Sequence, residues 1–164
     1  MLMLMFRVGL FFIALFIALD VALAAPLTVG SPWPVLKLAD QHDKPVELAS
    51  PPLQKVVFAA ERKPGDWAQA AFEPRKELLA SGQTALVLDI SRMPALVTSM
   101  FAMPSFRAQP FPILVARDAM PVADLPRKEG HVTVISLDGG KLVRIDFAAD
   151  QAALEQILNR KTAP

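Results

Sequence analysis

Three short apolar runs constrain this chain more than anything else in it: Lys55-Val56-Val57-Phe58-Ala59-Ala60, Thr84-Ala85-Leu86-Val87-Leu88-Asp89-Ile90 and Phe111-Pro112-Ile113-Leu114-Val115-Ala116. None keeps a regular apolar-polar alternation. Strands with that pattern are covered on both faces, so the runs predict the middle of one sheet.

The segments between them are helical in period. One helix is predicted from about Asp66 to Ser81, with Asp66 as its cap, Gln69 placed to return the bond three residues on, and Gly82 as the left-handed exit. Pro74 should kink it. A second helix follows Pro94, where Leu96, Val97, Met100, Phe101 and Met103 make one wide apolar face up to Pro104. Before the first run, Val35–Leu38 and Val46–Leu48 read as a hairpin with a polar tip at Asp40–Lys44. After the third, a linker from Ala119 to Gly130 holds a short helical turn. Val132–Leu137 and Lys141–Phe147 then flank the hairpin turn Asp138-Gly139-Gly140. A last helix, about Ala149 to Arg160, takes Asp150 as cap and turns Leu154, Ile157 and Leu158 inward. This order predicts an α/β sandwich, a mixed central sheet flanked by helices, with an N-terminal hairpin.

The first residues belong to something else. Arg7 precedes an apolar run from Val8 to Leu19, then Asp20 and the small-residue stretch Val21-Ala22-Leu23-Ala24-Ala25-Pro26. That is the layout of a secretory signal, residues 1–24, cut after Ala24 so that proline does not start the mature chain. An uncleaved anchor is the alternative, but the run is shorter than the roughly 20 residues a bilayer requires. Residues 25–164 are then a single domain, expected in the periplasm of a Gram-negative cell. Such a length buries a core without staples. The hydrophobic fraction of 53% is inflated by the leader.

Net charge is +1, with lysine and arginine dispersed along the chain, which leaves no electrostatic footprint for nucleic acid. There is no cysteine. Thiol-disulfide exchange and thiol peroxidase chemistry are therefore excluded, as is a lipid anchor of the lipobox type.

The stretch Val29-Gly30-Ser31-Pro32-Trp33-Pro34-Val35-Leu36-Lys37-Leu38-Ala39-Asp40, followed by Lys44-Pro45-Val46-Glu47-Leu48 and Lys55-Val56-Val57-Phe58, resembles the start of redoxin domains in the thioredoxin-like superfamily. Phe111–Val115 and Val132–Val143 are similar to the later strands of its peroxiredoxin-like branch. The patterns Lys63-Pro64-Gly65-Asp66, Asp89-Ile90-Ser91-Arg92-Met93-Pro94 and Leu137-Asp138-Gly139 resemble those of small exported proteins of that fold. The resemblance implies that the reactive cysteine of thiol members would fall in Glu61–Gln69. Here Asp66 and Gln69 stand in its place.

A scaffold kept without its redox atoms points to binding, with an unidentified protein as the first expected partner and Arg62, Lys63, Gly65, Asp66, Trp67 and Gln69 as the degenerate loop that would hold it. Arg62, Lys63 and the amides near Gly65 offer anion donors for which a capping Asp66 competes, and Trp67 is read as an anchor against the sheet. The main chemical alternative is copper on the thioethers of Met93, Met100 and Met103, set against their use as core filler. Convergence of the three at the surface would favour metal; burial would favour packing. His42 and His131 are too far apart for a ligand motif, and Asp40-Gln41-His42-Asp43 reads as a polar turn. A non-thiol oxidoreductase is the remaining enzymatic alternative, but the chain has no GxGxxG fingerprint, G-x-S-x-G elbow, HExxH helix or P-loop.

Overall fold

The computed structural model describes residues 26–160, so the expected signal segment and its cleavage site lie outside the described residues. The elements run β1 (Leu36–Asp40), β2 (Pro45–Leu48), β3 (Lys55–Ala59), α1 (Arg62–Phe72), α2 (Lys76–Ala80), β4 (Thr84–Asp89), α3 (Ala95–Val97), α4 (Met103–Arg107), β5 (Leu114–Ala116), β6 (Val132–Asp138), β7 (Lys141–Ala148) and α5 (Gln151–Asn159). The strands form one seven-stranded sheet in the order β2-β1-β5-β4-β3-β6-β7. β3, β4 and β5 are parallel, and the outer strands pair antiparallel.

The missing alternation of the apolar runs now has its cause. Val57, Ala59, Leu86 and Leu88 face one core, shared with Ala68, Ala71 and Phe72 of α1 and with Leu154, Ile157 and Leu158 of α5. Their neighbours Val56, Phe58 and Val87 face a second core with Trp33, Leu53, Val122, Leu125 and Ile135. Both faces are dry, so both carry apolar residues. Trp33 closes the second face and donates its indole N–H to the Leu48 carbonyl at 3.2 Å.

Several local rules operate as expected. The β1–β2 turn is tied by Asp40, whose carboxylate accepts from the amides of His42 (2.8 Å) and Lys44 (2.9 Å). Slight burial works to raise the pKa of Asp40, but those amides and the charges of His42 and Lys44 outweigh it and hold the carboxyl below its ordinary value. Asp150 caps α5 by accepting from the Ala153 amide at 2.8 Å. Gly139 and Gly140 both take positive φ in the β6–β7 turn, as a two-residue hairpin loop requires.

Other expectations need correction. α1 starts at Arg62, not at Asp66, and Asp66 is not its cap: the N-cap is Glu61, and no side chain caps the helix. Proline is tolerated in a first turn, so Pro64 lies within the helix rather than preceding it. Gln69 donates to the Gly65 carbonyl at 3.2 Å, not back to Asp66. The expected kink at Pro74 is a full break, a 3-10 turn over Glu73–Arg75, after which α2 is a short separate helix.

The second predicted helix differs most. It passes through Pro104 to Arg107, with a π-helical turn at Thr98–Ala102 between α3 and α4. The wider turn shifts the angular repeat, so residues placed on one face by a 3.6-residue period are rotated away from the core. Met103 and Phe106 are buried, whereas Leu96 (68%), Met100 (59%) and Phe101 (66%) stand exposed. β5 is also shorter than the apolar run that predicts it, because residues before Leu114 bond to a side chain instead of a strand.

Lys55 ties the start of β3 to the end of α5, with its ammonium 3.5 Å from the Leu158 carbonyl and 3.4 Å from that of Arg160. Burial lowers its pKa from 10.5, and the charge of Asp146 offsets this in part. The folded protein therefore releases this proton at a lower pH than the unfolded chain does. Across the window just below 10.5 the unfolded state binds more protons, so this group makes stability rise with pH. Thermal melts across that window should show a contribution of this sign that disappears in Lys55→Met. The chain has neither tyrosine nor cysteine to obscure it.

Candidate functional site

The loop expected to bind forms the opening turns of α1. Pro64 has no N–H and the Gly65 amide is bonded to the Glu61 carbonyl at 3.0 Å. Arg62, Lys63 and Asp66 are exposed and Gly65 is buried. Trp67 is half-buried against the α1 core, as an anchor would be, and the Lys63 ammonium lies 5.3 Å from its ring centroid. Neither of two cavities, of about 450 and 320 Å³, is lined by Arg62, Lys63, Gly65, Asp66, Trp67 or Gln69.

The smaller of these lies beside this turn, at the ends of β3 and β4. A cleft of about 320 Å³ has Phe58 and Thr133 at its base and Glu61, Arg92, Arg127, Lys128 and His131 among its walls. Its frame is a buried charge. Asp89, the last residue of β4, has a side chain only 2% exposed and pairs with Arg127 at 3.4 Å. Its other oxygen accepts from the Ser91 amide at 3.0 Å and the Ser91 hydroxyl at 2.6 Å. The Arg127 guanidinium also donates to the Val122 carbonyl at 2.7 Å and sits 5.2 Å from the Phe58 ring centroid. Across the cleft, Glu61 accepts from the Gly130 amide at 2.8 Å, so α1's N-cap residue holds the far wall. Sequence reasoning missed this constellation. The signal for it was Asp89 itself: a carboxylate closing an apolar run in a buried strand requires a partner.

The three methionines are separated by exposure. Met103 is buried with its sulfur 3.7 Å from an Arg117 nitrogen, Met93 is half-buried, and Met100 is exposed. Met93 and Met103 line one cavity, of about 450 Å³, and Met100 does not line it. Among the described residues there is no group of three or more histidines and carboxylates placed to hold a metal ion. Among the same residues no helix is long and apolar enough to cross a membrane.

A central mixed sheet with parallel β3, β4 and β5, an antiparallel β6–β7 hairpin at one edge and a cleft at the end of β3 defines a thioredoxin-like α/β fold. More particularly it is a redoxin fold, shared with a putative protein disulfide isomerase and with peroxiredoxin-type proteins, on a chain without cysteine. No family model and no curated protein matches the sequence. Solved structures do match its fold. A putative protein disulfide isomerase from Bacteroides thetaiotaomicron is 19% identical with a TM-score of 0.53, covering 81% of this chain and 89% of its own. The PrxQ protein of Xylella fastidiosa, solved as a cysteine-to-serine mutant, is 16% identical with a TM-score of 0.54, covering 82% of this chain and 95% of its own. The peroxidoxin BcpB of Mycobacterium tuberculosis is 18% identical with a TM-score of 0.50, covering 82% of this chain and 99% of its own.

Proposed function

We propose that this protein is a non-catalytic binding module, exported to the periplasm, that holds a protein partner at the cleft framed by Asp89 and Arg127. The observation that carries this reading is a scaffold without thiols whose cleft is nonetheless braced from both sides, by the Asp89–Arg127 pair and by the Glu61–Gly130 bond. Bracing of that kind fixes a recognition surface and supplies no nucleophile. Arg92, Lys128 and Glu129 stand exposed around the cleft, a mixed-charge rim suited to a polar protein surface. Export rests on the leader, with the mature chain starting at Ala25.

The test is a photo-cross-linking residue placed at Lys128 in the cell, with Glu77 on α2 as the control position, followed by native mass spectrometry of the purified protein. The expected result is a discrete protein adduct in the periplasmic fraction from Lys128 alone, lost in Arg92→Glu, on a chain whose mass begins at Ala25. A copper adduct lost on changing Met100 and Met103, or a bound organic cofactor, would overturn the reading in favour of metal handling or enzymatic activity. So would the absence of any position-specific adduct.

A further inference from the structure

We propose that the second cavity, between the β1–β2 turn and the helical segment from Ala95 to Arg107, binds a small carboxylate that carries an apolar tail. The cavity measures about 450 Å³. That falls within the roughly 300–1,000 Å³ of small-molecule sites. Ile90, Met93 and Met103 supply an apolar wall that methionine flexibility allows to adapt, and hydroxyl side chains make up much of the remainder.

Its polar end is built from Asp43, Arg107 and Arg117. Asp43 is the only carboxylate among the lining residues, and two guanidiniums share it: Arg107 at 2.9 Å and Arg117 at 2.6 Å. One positive charge is left uncompensated. Each guanidinium has five N–H donors. Arg107 uses Nε on the Gln41 carbonyl and one terminal nitrogen on Asp43, and Arg117 uses one terminal nitrogen on Asp43 and the Met103 sulfur. The other terminal nitrogen of each has no partner among the described residues.

Asp43 itself is held at positive φ (66°) at the tip of the β1–β2 turn, which the Asp40 side chain ties independently of both arginines. The turn therefore presents a carboxylate to the pair, and an incoming carboxylate takes the remaining donors beside it. The same excess positive charge opposes a metal cation at this place.

Calorimetric titration with octanoate, below its micelle concentration, tests the proposal against octanol and octylammonium of equal chain length. Octanoate is expected to bind, with octanol at least tenfold weaker and octylammonium silent. Arg117→Gln should weaken octanoate about tenfold, as loss of one charge-assisted contact predicts. Asp43→Asn, which keeps a residue tolerant of positive φ and removes the competing charge, should tighten octanoate severalfold. If Asp43, Arg107 and Arg117 only lock the turn to the helix, Asp43→Asn lowers the melting temperature and leaves octanoate affinity unchanged or weaker, which overturns the proposal. Equal affinity for octanoate and octanol also overturns it. Should Arg117→Gln fail to fold, the three probes and Asp43→Asn decide the matter alone.

Discussion

Asp89→Ala should cost the domain about 3 kcal/mol, against a total stability of about 5–15 kcal/mol for a domain of this kind. The carboxylate removed is almost wholly buried and serves three donors: the Ser91 amide, the Ser91 hydroxyl and Arg127. Without it, the Arg127 charge lies against the Phe58 ring with only the Val122 carbonyl for company. Because Arg127 is 34% exposed, water recovers part of that loss, and the figure sits at the low end for a broken buried pair. Asp89→Asn keeps an acceptor for Ser91 and should lose about half as much. Urea unfolding checks both, as a fall in midpoint at unchanged slope. A loss under about 0.5 kcal/mol for Asp89→Ala would mean the pair does not brace the cleft. Releasing Arg127 also frees the wall from Val122 to Lys128, so the cross-link expected from Lys128 should fall even in molecules that remain folded.

The second large effect is expected at Gln41, which is 3% exposed in what sequence alone reads as a polar turn. Its side-chain amide donates to the Phe111 carbonyl and accepts from the Ile113 amide, both at 2.9 Å. β1 and β5 pair only through Ala39 with Val115 and Asp40 with Leu114. Gln41 extends that short ladder by one rung made of side chain. Leucine has a similar volume and neither polar atom, so Gln41→Leu leaves a backbone N–H and a C=O unpaired in the interior. At about 1–3 kcal/mol for each orphaned group, partly relieved by relaxation, the loss is about 3 kcal/mol. Gln41→Glu sharpens the test. Ionised, it still accepts from Ile113 but faces the Phe111 carbonyl with no proton; protonated, it restores the pair. Its folded pKa is raised, so this variant should gain stability relative to wild type as pH falls through that raised value. A Gln41→Leu protein as stable as wild type would show that the rung contributes nothing.

These two residues mark where sequence reading stops. The buried strands β3 and β4 were legible because an apolar run without alternation has one economical explanation, a strand covered twice. The β6–β7 hairpin and the Asp150 cap were legible because turn and cap chemistry act within four residues. Asp66 looked like a cap by the same local logic and is not one, since Pro64 allowed the helix to start one turn earlier. The apolar spacing from Leu96 to Met103 suggested a packed helix, but one wide π-helical turn changed which residues face the core.

For the candidate site the division is sharper. The sequence pointed to the loop after β3, and the cleft does adjoin it, yet only Ala60 and Glu61 of that loop line it. The other walls come from residues some 30 to 70 positions away, and no local pattern joins Glu61 to Gly130 or Asp89 to Arg127. By itself the sequence determined the absence of cysteine, the buried strands β3 and β4, the β6–β7 turn and the Asp150 cap, because each follows from residue type or from neighbours within a turn. Only the tertiary structure decided which charges meet in the interior and where the cavities open, because those depend on chain segments brought together by the sheet.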